Sequence, residues 1–135
     1  MTRYLLDINI LSYFIRGRHP LLHERVEHAL NAKQAMTSAV VRAEMRFGQN
    51  RMLTEDKRRA AIDLLLDHLP TLPWTAATAD VYGVLKKQLQ SAGRPIGELD
   101  TQIAAHALAE GLILVTHNTR HFDRIAGLQL EDWMV

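Results

Sequence analysis

The chain contains no cysteine. A disulfide framework and a thiolate metal site are therefore both excluded. No apolar run approaches the ~18 residues of a membrane span. Met1-Thr2-Arg3 runs straight into a strand-like segment, so no signal peptide is expected. With no cysteine to oxidise, a reducing cytoplasm is the expected location. Repeats, low-complexity tracts and inter-domain linkers are also missing. A single domain over residues 1–135 is expected. Charge of one sign is missing as well: 16 basic residues face 15 acidic ones, for a net charge of +1. That balance points to no partner, although basic residues clustered on one face could still meet nucleic acid.

What is present suits an ordinary globular core, with 47% hydrophobic and 23% charged residues. Arg3 to Leu6 reads as a short buried strand, followed by a helix from Ile8 to Ile15 that Gly17 ends. His19-Pro20 punctuates, and Leu22, Val26, Ala29 and Leu30 then recur at helical spacing. Ala35 to Thr37 reads as a strand. Ser38 is placed to cap a helix over Ala39–Gln49. Thr54 is placed to cap the next helix, whose apolar face is Ile62, Leu65, Leu66 and Leu69. A short strand falls near Thr71-Leu72. Thr75 opens a helix that Gly93 stops, and Arg94 to Gly97 is a loop. Glu98 to Glu110 is a helix closed by Gly111. Leu112 to Thr116 is the clearest strand. A short helix at Thr119–Phe122 and a strand near Leu128–Leu130 complete the chain. Alternating strands and helices predict an α/β fold: a short, mainly parallel central sheet with helices on both faces.

Three carboxylates stand out against this pattern. Asp7 closes the apolar run Tyr4-Leu5-Leu6, at a strand's carboxyl end, where open α/β sheets bind ligands. Glu44 is i+4 from Val40 and i+3 from Val41, which places it on an inward stripe with Met45. Asp100 is i−3 from Ile103 and i−4 from Ala104, again on an apolar stripe. Glu55, Asp56, Asp63, Asp67 and Glu110 fall where exposure costs nothing. Each of the three also has a structural reading: Asp7 as a helix cap, Asp100 as a partner of a helix dipole, Glu44 as a partner of a buried arginine. Together they imply more. Two buried carboxylates ~4 Å apart repel by about 4 kcal/mol at an effective dielectric of 20. A proton or a cation must relieve them. An all-oxygen donor set suits Mg²⁺ or Mn²⁺, which can activate water for attack on a phosphodiester. Asn118, after the clearest strand, is either a fourth site residue or a turn residue. Arg42, Arg46, Arg94 and Arg120 are candidate phosphate contacts, whereas Lys57-Arg58-Arg59 reads as a solvated helix face. His117 and His121, four apart beside a loop, do not make a zinc site. His106 lies away from the Asp100 face. A phospho-acceptor receiver domain needs an acidic pair near the first strand and a lysine after a late one, and neither is present.

The chain resembles the VapC-type PIN-domain ribonucleases, the toxins of bacterial toxin–antitoxin pairs, essentially end to end. The resemblance is carried by Tyr4-Leu5-Leu6-Asp7-Ile8-Asn9-Ile10-Leu11-Ser12 and by Ser38-Ala39-Val40-Val41-Arg42-Ala43-Glu44. It continues through Arg94 to Asp100, Ile103 to Ala107, Leu114 to Phe122 and the closing Gly127 to Trp133. It implies Asp7, Glu44 and Asp100 as metal ligands. It also implies a homodimer, an antitoxin that plugs the site, and single-stranded RNA loops, often in tRNA, as substrate. A cationic side chain is the expected plug, because a guanidinium pairs bidentately with carboxylates. DNA would then be met only through the antitoxin. Two positions depart from the family's pattern: Ile8 replaces a threonine or serine, and Asn118 replaces an aspartate. The alternative reading, a PIN-fold binding module with attenuated or lost nuclease activity, rests on Ile8.

Overall fold

The computed structural model describes residues 2–135. Its elements run β1 (Tyr4–Leu6), α1 (Ile8–Arg16), α2 (Pro20–Asn31), β2 (Ala35–Ser38), α3 (Ala39–Arg51), α4 (Arg58–His68), β3 (Thr71–Leu72), α5 (Ala76–Ser91), α6 (Glu98–Glu110), β4 (Ile113–Val115), α7 (Thr119–Phe122) and β5 (Leu130–Glu131). The strands form one sheet in the order β3-β2-β1-β4-β5, and each adjacent pair is parallel. The expected α/β architecture is therefore observed.

The sheet's centre is apolar because parallel strands are covered on both faces. Leu5, Leu6, Leu114 and Val115 are all fully buried. The chain steps from β1 to β2 and β3 on one side, then returns to place β4 on the other side of β1. Right-handed crossovers then put α1–α4 on one face and α5–α7 on the opposite one. Helix contacts largely follow this division: α1 packs on α2, α3 and α4, and α5 packs on α6, while α3 also meets α6 across it. The carboxyl ends of β1 and β4 thus bound the crevice where the strand order reverses, the usual ligand position in such sheets.

Most helix starts follow the expected caps. Ser38 Oγ accepts the Val40 N–H at 3.2 Å, and Thr75 Oγ1 accepts the Thr78 N–H at 3.2 Å. The α4 start does not. Thr54 makes no cap, and the helix begins at Arg58 after Lys57. Asp56 takes over locally: its Oδ1 accepts the Arg58 N–H at 2.9 Å, and its carboxylate pairs with the Arg58 guanidinium. That pairing lowers the Asp56 carboxyl to about 2. The last strand also shifts, to Leu130–Glu131, because Leu130 pairs with Leu114 and Leu128 turns back to Ile125. Gly97 enters α6 at φ 97, ψ 155, a conformation almost confined to glycine.

His106 is fully buried in α6, edge-on to Trp74 with ring centroids 5.6 Å apart, and its Nδ1 lies 2.7 Å from Ser38 Oγ. Its Nε2 has no partner of good hydrogen-bonding geometry, although the Pro73 carbonyl acts on the ring. It is a structural residue that ties α6 to the start of α3. Burial holds its pKa below the usual 6.5, against an opposing pull from Glu110. As pH falls through 6.5 the unfolded chain takes up a proton that the folded chain resists, so stability is lost in acid. His106→Gln cannot titrate. Its melting temperature relative to the parent should rise as pH drops from 8 to about 5. A difference that stays flat with pH would show that the ring does not titrate in this way.

Candidate active site

Asp7 is locked in place by backbone. Its N–H donates to the Val115 carbonyl at 3.2 Å, extending the β1–β4 ladder by one residue. Its Oδ1 accepts the Ile10 N–H at 2.9 Å and caps α1. The cap reading of Asp7 is thus correct, and it does not displace the site reading, because the carboxylate is 3% exposed at the sheet's reversal point. Thr116, fully buried after β4, donates its hydroxyl to Asp7 and accepts the Asn118 N–H at 3.1 Å. Burial pushes the Asp7 carboxyl up to about 6. Thr116 and the Ile10 and Asn9 N–H groups pull it down, while the charge of Asp100 adds to the rise.

Asp100 comes from the first turn of α6, with its side chain 34% exposed. His121 of α7 reaches it: Nε2 lies 3.0 Å from Asp100 Oδ2 and 2.6 Å from the Ile96 carbonyl oxygen. Both neighbours are acceptors, so this network assigns the hydrogen to Nε2. Burial raises the Asp100 carboxyl, and His121 draws it back. His121 therefore orients Asp100 and anchors the loop before α6 in one contact.

Glu44 does not join them. It is exposed, and the buried face of α3 runs through Val41, Met45 and Gln49. The inward stripe thus follows Val41–Met45 rather than Val40–Glu44. Being i+3 from Val41 leaves Glu44 on the outer edge, not inside. Among the described residues, no three histidine, aspartate or glutamate side chains are grouped tightly enough to hold one ion. Three carboxylates gathered at one interior point are therefore not observed among the described residues: Asp7 is buried, Asp100 is partly exposed, and Glu44 is exposed on α3.

The arginines divide similarly. Arg42 Nη1 donates to Thr71 Oγ1 at 3.0 Å and to the Leu66 carbonyl at 3.5 Å. Arg46 Nη1 donates to Asp63 at 2.6 Å and to Gln49 Oε1 at 2.9 Å. Both brace α3 within the protein. Arg94 and Arg120 are exposed. Asn118 is exposed as well, and its side chain makes no cap bond to α7. His117 pairs with Asp132 at 3.0 Å, so it and His121 serve different partners. The contacts of Thr116 with Asp7 and of His121 with Asp100 were not foreseen from the sequence. Thr116 ended the clearest strand, which was a usable signal, but nothing local links His121 to Asp100.

Residues 4–128 match the PIN domain. The chain belongs to the PIN-domain family. It is 35% identical over 133 residues to the tRNA(fMet)-specific endonuclease VapC of Shigella flexneri, covering 98% of this chain and 99% of that one. It is 36% identical over 134 residues to Ribonuclease VapC2 of Haemophilus influenzae, covering 99% of this chain and all of the relative. Its fold superposes on a chain of DNA-bound VapBC from Salmonella typhimurium with a TM-score of 0.90 and 28% identity, over 98% of this chain and 99% of that one. For VapBC2 from Rickettsia felis bound to a promoter DNA fragment, the TM-score is 0.88 and the identity 31%, with the same coverage. Within the PIN family it is of the VapC ribonuclease type.

The donor set suits a hard divalent cation. Asp7 is buried with no cationic side chain in ion-pair reach among the described residues, and it faces a second carboxylate. Every candidate donor is oxygen, as Mg²⁺ and Mn²⁺ prefer. Without a cation, Asp7 opposes folding. The folded chain keeps its proton up to about pH 6, whereas the unfolded chain releases it near 3.8. Stability therefore falls as pH rises across that window, by about 3 kcal/mol in all. Asp7→Asn keeps a cap acceptor and sheds the charge. In EDTA at pH 8 its melting temperature should exceed the parent's by several degrees, and the gain should vanish near pH 4. Thermal melts across that pH range check this, and a destabilised variant at pH 8 would contradict it.

Proposed function

We propose that the chain is a Mg²⁺- or Mn²⁺-dependent endoribonuclease that cuts single-stranded RNA loops, tRNA among them, as the toxin of a toxin–antitoxin pair. The observation that carries this is the buried, cation-free Asp7 beside Asp100 at the sheet's reversal point. The tRNA endonuclease name of the Shigella flexneri relative supports the substrate class. Loops are favoured because their bases can be splayed out and read.

Asp7 and Asp100 would hold the cation, with Glu44 and Asn118 reaching in from the rim. A bound divalent ion supplies Lewis acidity toward a phosphodiester oxygen and lowers the pKa of the attacking water. The protein's own part is orientation. Thr116 fixes Asp7, and the His121 Nε2–H fixes one oxygen of Asp100, leaving the other free. Hydrogen-bonded carboxylates of this kind hold ligand geometry at metal sites. Arg94 and Arg120, exposed near the Asp100 loop and on α7, are better placed to meet phosphates than Arg42 and Arg46.

The VapBC structures from Salmonella typhimurium and Rickettsia felis, both bound to DNA, support a cognate antitoxin as partner and DNA contact through it. An antitoxin arginine placed between Asp7 and Asp100 would neutralise both without metal. A homodimer is the proposed assembly.

Cleavage should require Mg²⁺ or Mn²⁺ and stop in EDTA. Asp7→Asn, Glu44→Gln and Asp100→Asn should each reduce it at least ~100-fold, the scale of a lost ligand or its orienting partner. Equal cleavage with and without metal, or near-parental rates in two of the three variants, would sink the shared-site reading. Metal-independent RNA binding with no turnover would favour the binding-module alternative.

A further inference from the structure

Between α1, α3 and α4 lies a cavity of about 160 Å³. Its walls include Ile8, Ile15, Met45, Met52 and Ile62, and Arg16 and Arg58 also line it. Ile8 directly follows Asp7 in the chain, and Glu44 lines the cavity from α3. We propose that this cavity receives one unstacked nucleobase of the RNA, next to the cleaved phosphodiester. The proposal rests on the ribonuclease reading above and adds to it a base-contacting subsite.

Size and chemistry agree on the occupant. An apolar cavity of ~150 Å³ accommodates a benzene-sized ring. Two methionine side chains in the lining give it adaptable, polarisable walls suited to an aromatic face. Of the three charged residues in the lining, Arg16 and Arg58 are cationic and Glu44 is the one carboxylate, a set that suits a nucleotide better than a purely apolar guest. Arg16 is exposed, lies 5.6 Å from the Tyr13 ring centroid and has no carboxylate partner among the described residues. Arg58 is held in position by Asp56 at 2.6 Å. A ring in the apolar slot with cations beside it for the flanking phosphates is how proteins grip single-stranded RNA.

Gly48 offers a clean test. It lines the cavity from α3, and a Cβ built there meets nothing within 4 Å. Gly48→Leu should fill the slot without disturbing the fold, and helix propensity should hold or raise its melting temperature. The probes are an unstructured single-stranded RNA of mixed sequence and a series of the same RNA with one ribose at a time made abasic. Binding is read by fluorescence anisotropy in EDTA, so no cleavage intervenes. For the parent, one abasic position should weaken binding ~5–100-fold, the range of a single stacked base. Gly48→Leu should lose the same factor on intact RNA and be insensitive to that abasic site. Met52→Ala should show a smaller loss of the same base-dependent kind. Arg16→Gln should weaken intact and abasic RNAs alike.

Parental binding of every RNA by Gly48→Leu would overturn the assignment. So would a loss equal on intact and abasic RNA, or a loss confined to the complex with the protein partner, which would give the cavity to that partner. Absence of Mg²⁺-stimulated cleavage by the parent chain would instead overturn the ribonuclease reading, and the binding series tells the two failures apart.

Discussion

The hydrogen bond from the Asp7 N–H to the Val115 carbonyl is the point on which the site depends. It carries the β1–β4 pairing one residue past the strand and leaves a carboxylate buried where the sheet reverses its strand order. The parallel ladder can end there because α1 begins at once, and Asp7 itself caps it. One residue thus closes a strand, opens a helix and presents a charge. Its neighbours follow from the same register. Leu6 opposite Val115 sets Asp7 beside Thr116, whose hydroxyl steadies the carboxylate.

The folded chain tolerates an electrostatic conflict at this point. Asp7 is buried and feels the charge of Asp100, and the Thr116 hydroxyl and the Ile10 and Asn9 N–H groups offset that, while His121 moderates Asp100. A core this well covered can absorb such a cost: the residues around Asp7, including Leu5, Leu6, Ile10, Leu11, Leu114 and Val115, are completely buried. The conflict is what a cation, or an antitoxin arginine, would relieve.

Helix α3 serves two surfaces. Its inner face, Val41, Met45 and Gln49, packs toward the core, and Gln49 donates to the Arg59 carbonyl and to Asp63. Arg46 joins that network, fixing α3 against α4. With the helix so anchored, its outer edge is free to present Glu44, and Gly48 leaves the adjoining cavity open.

The order of elements, the parallel sheet and most caps were legible in the sequence, because they follow from local periodicity and from residues that cap or break helices nearby. Ser38, Thr75, Gly17 and Gly111 all act where their types predict. The burial of Asp7 at a strand end and the place of Asp100 in the first turn of α6 were legible too, since a charge beside an apolar run is visible without coordinates. Thr54 misled because a side chain capable of capping does not decide a helix start when Asp56 offers a closer acceptor to Arg58. Glu44 misled because helical spacing places a residue at the edge of a stripe without saying which side of that edge is covered. What only the tertiary structure decided were the contacts between distant elements: His121 on Asp100, Thr116 on Asp7, His106 on Ser38, and Arg42 and Arg46 turned inward. These depend on how α6, α7 and β4 meet. Hydrogen bonds between residues far apart in sequence leave no periodic trace in the chain that forms them.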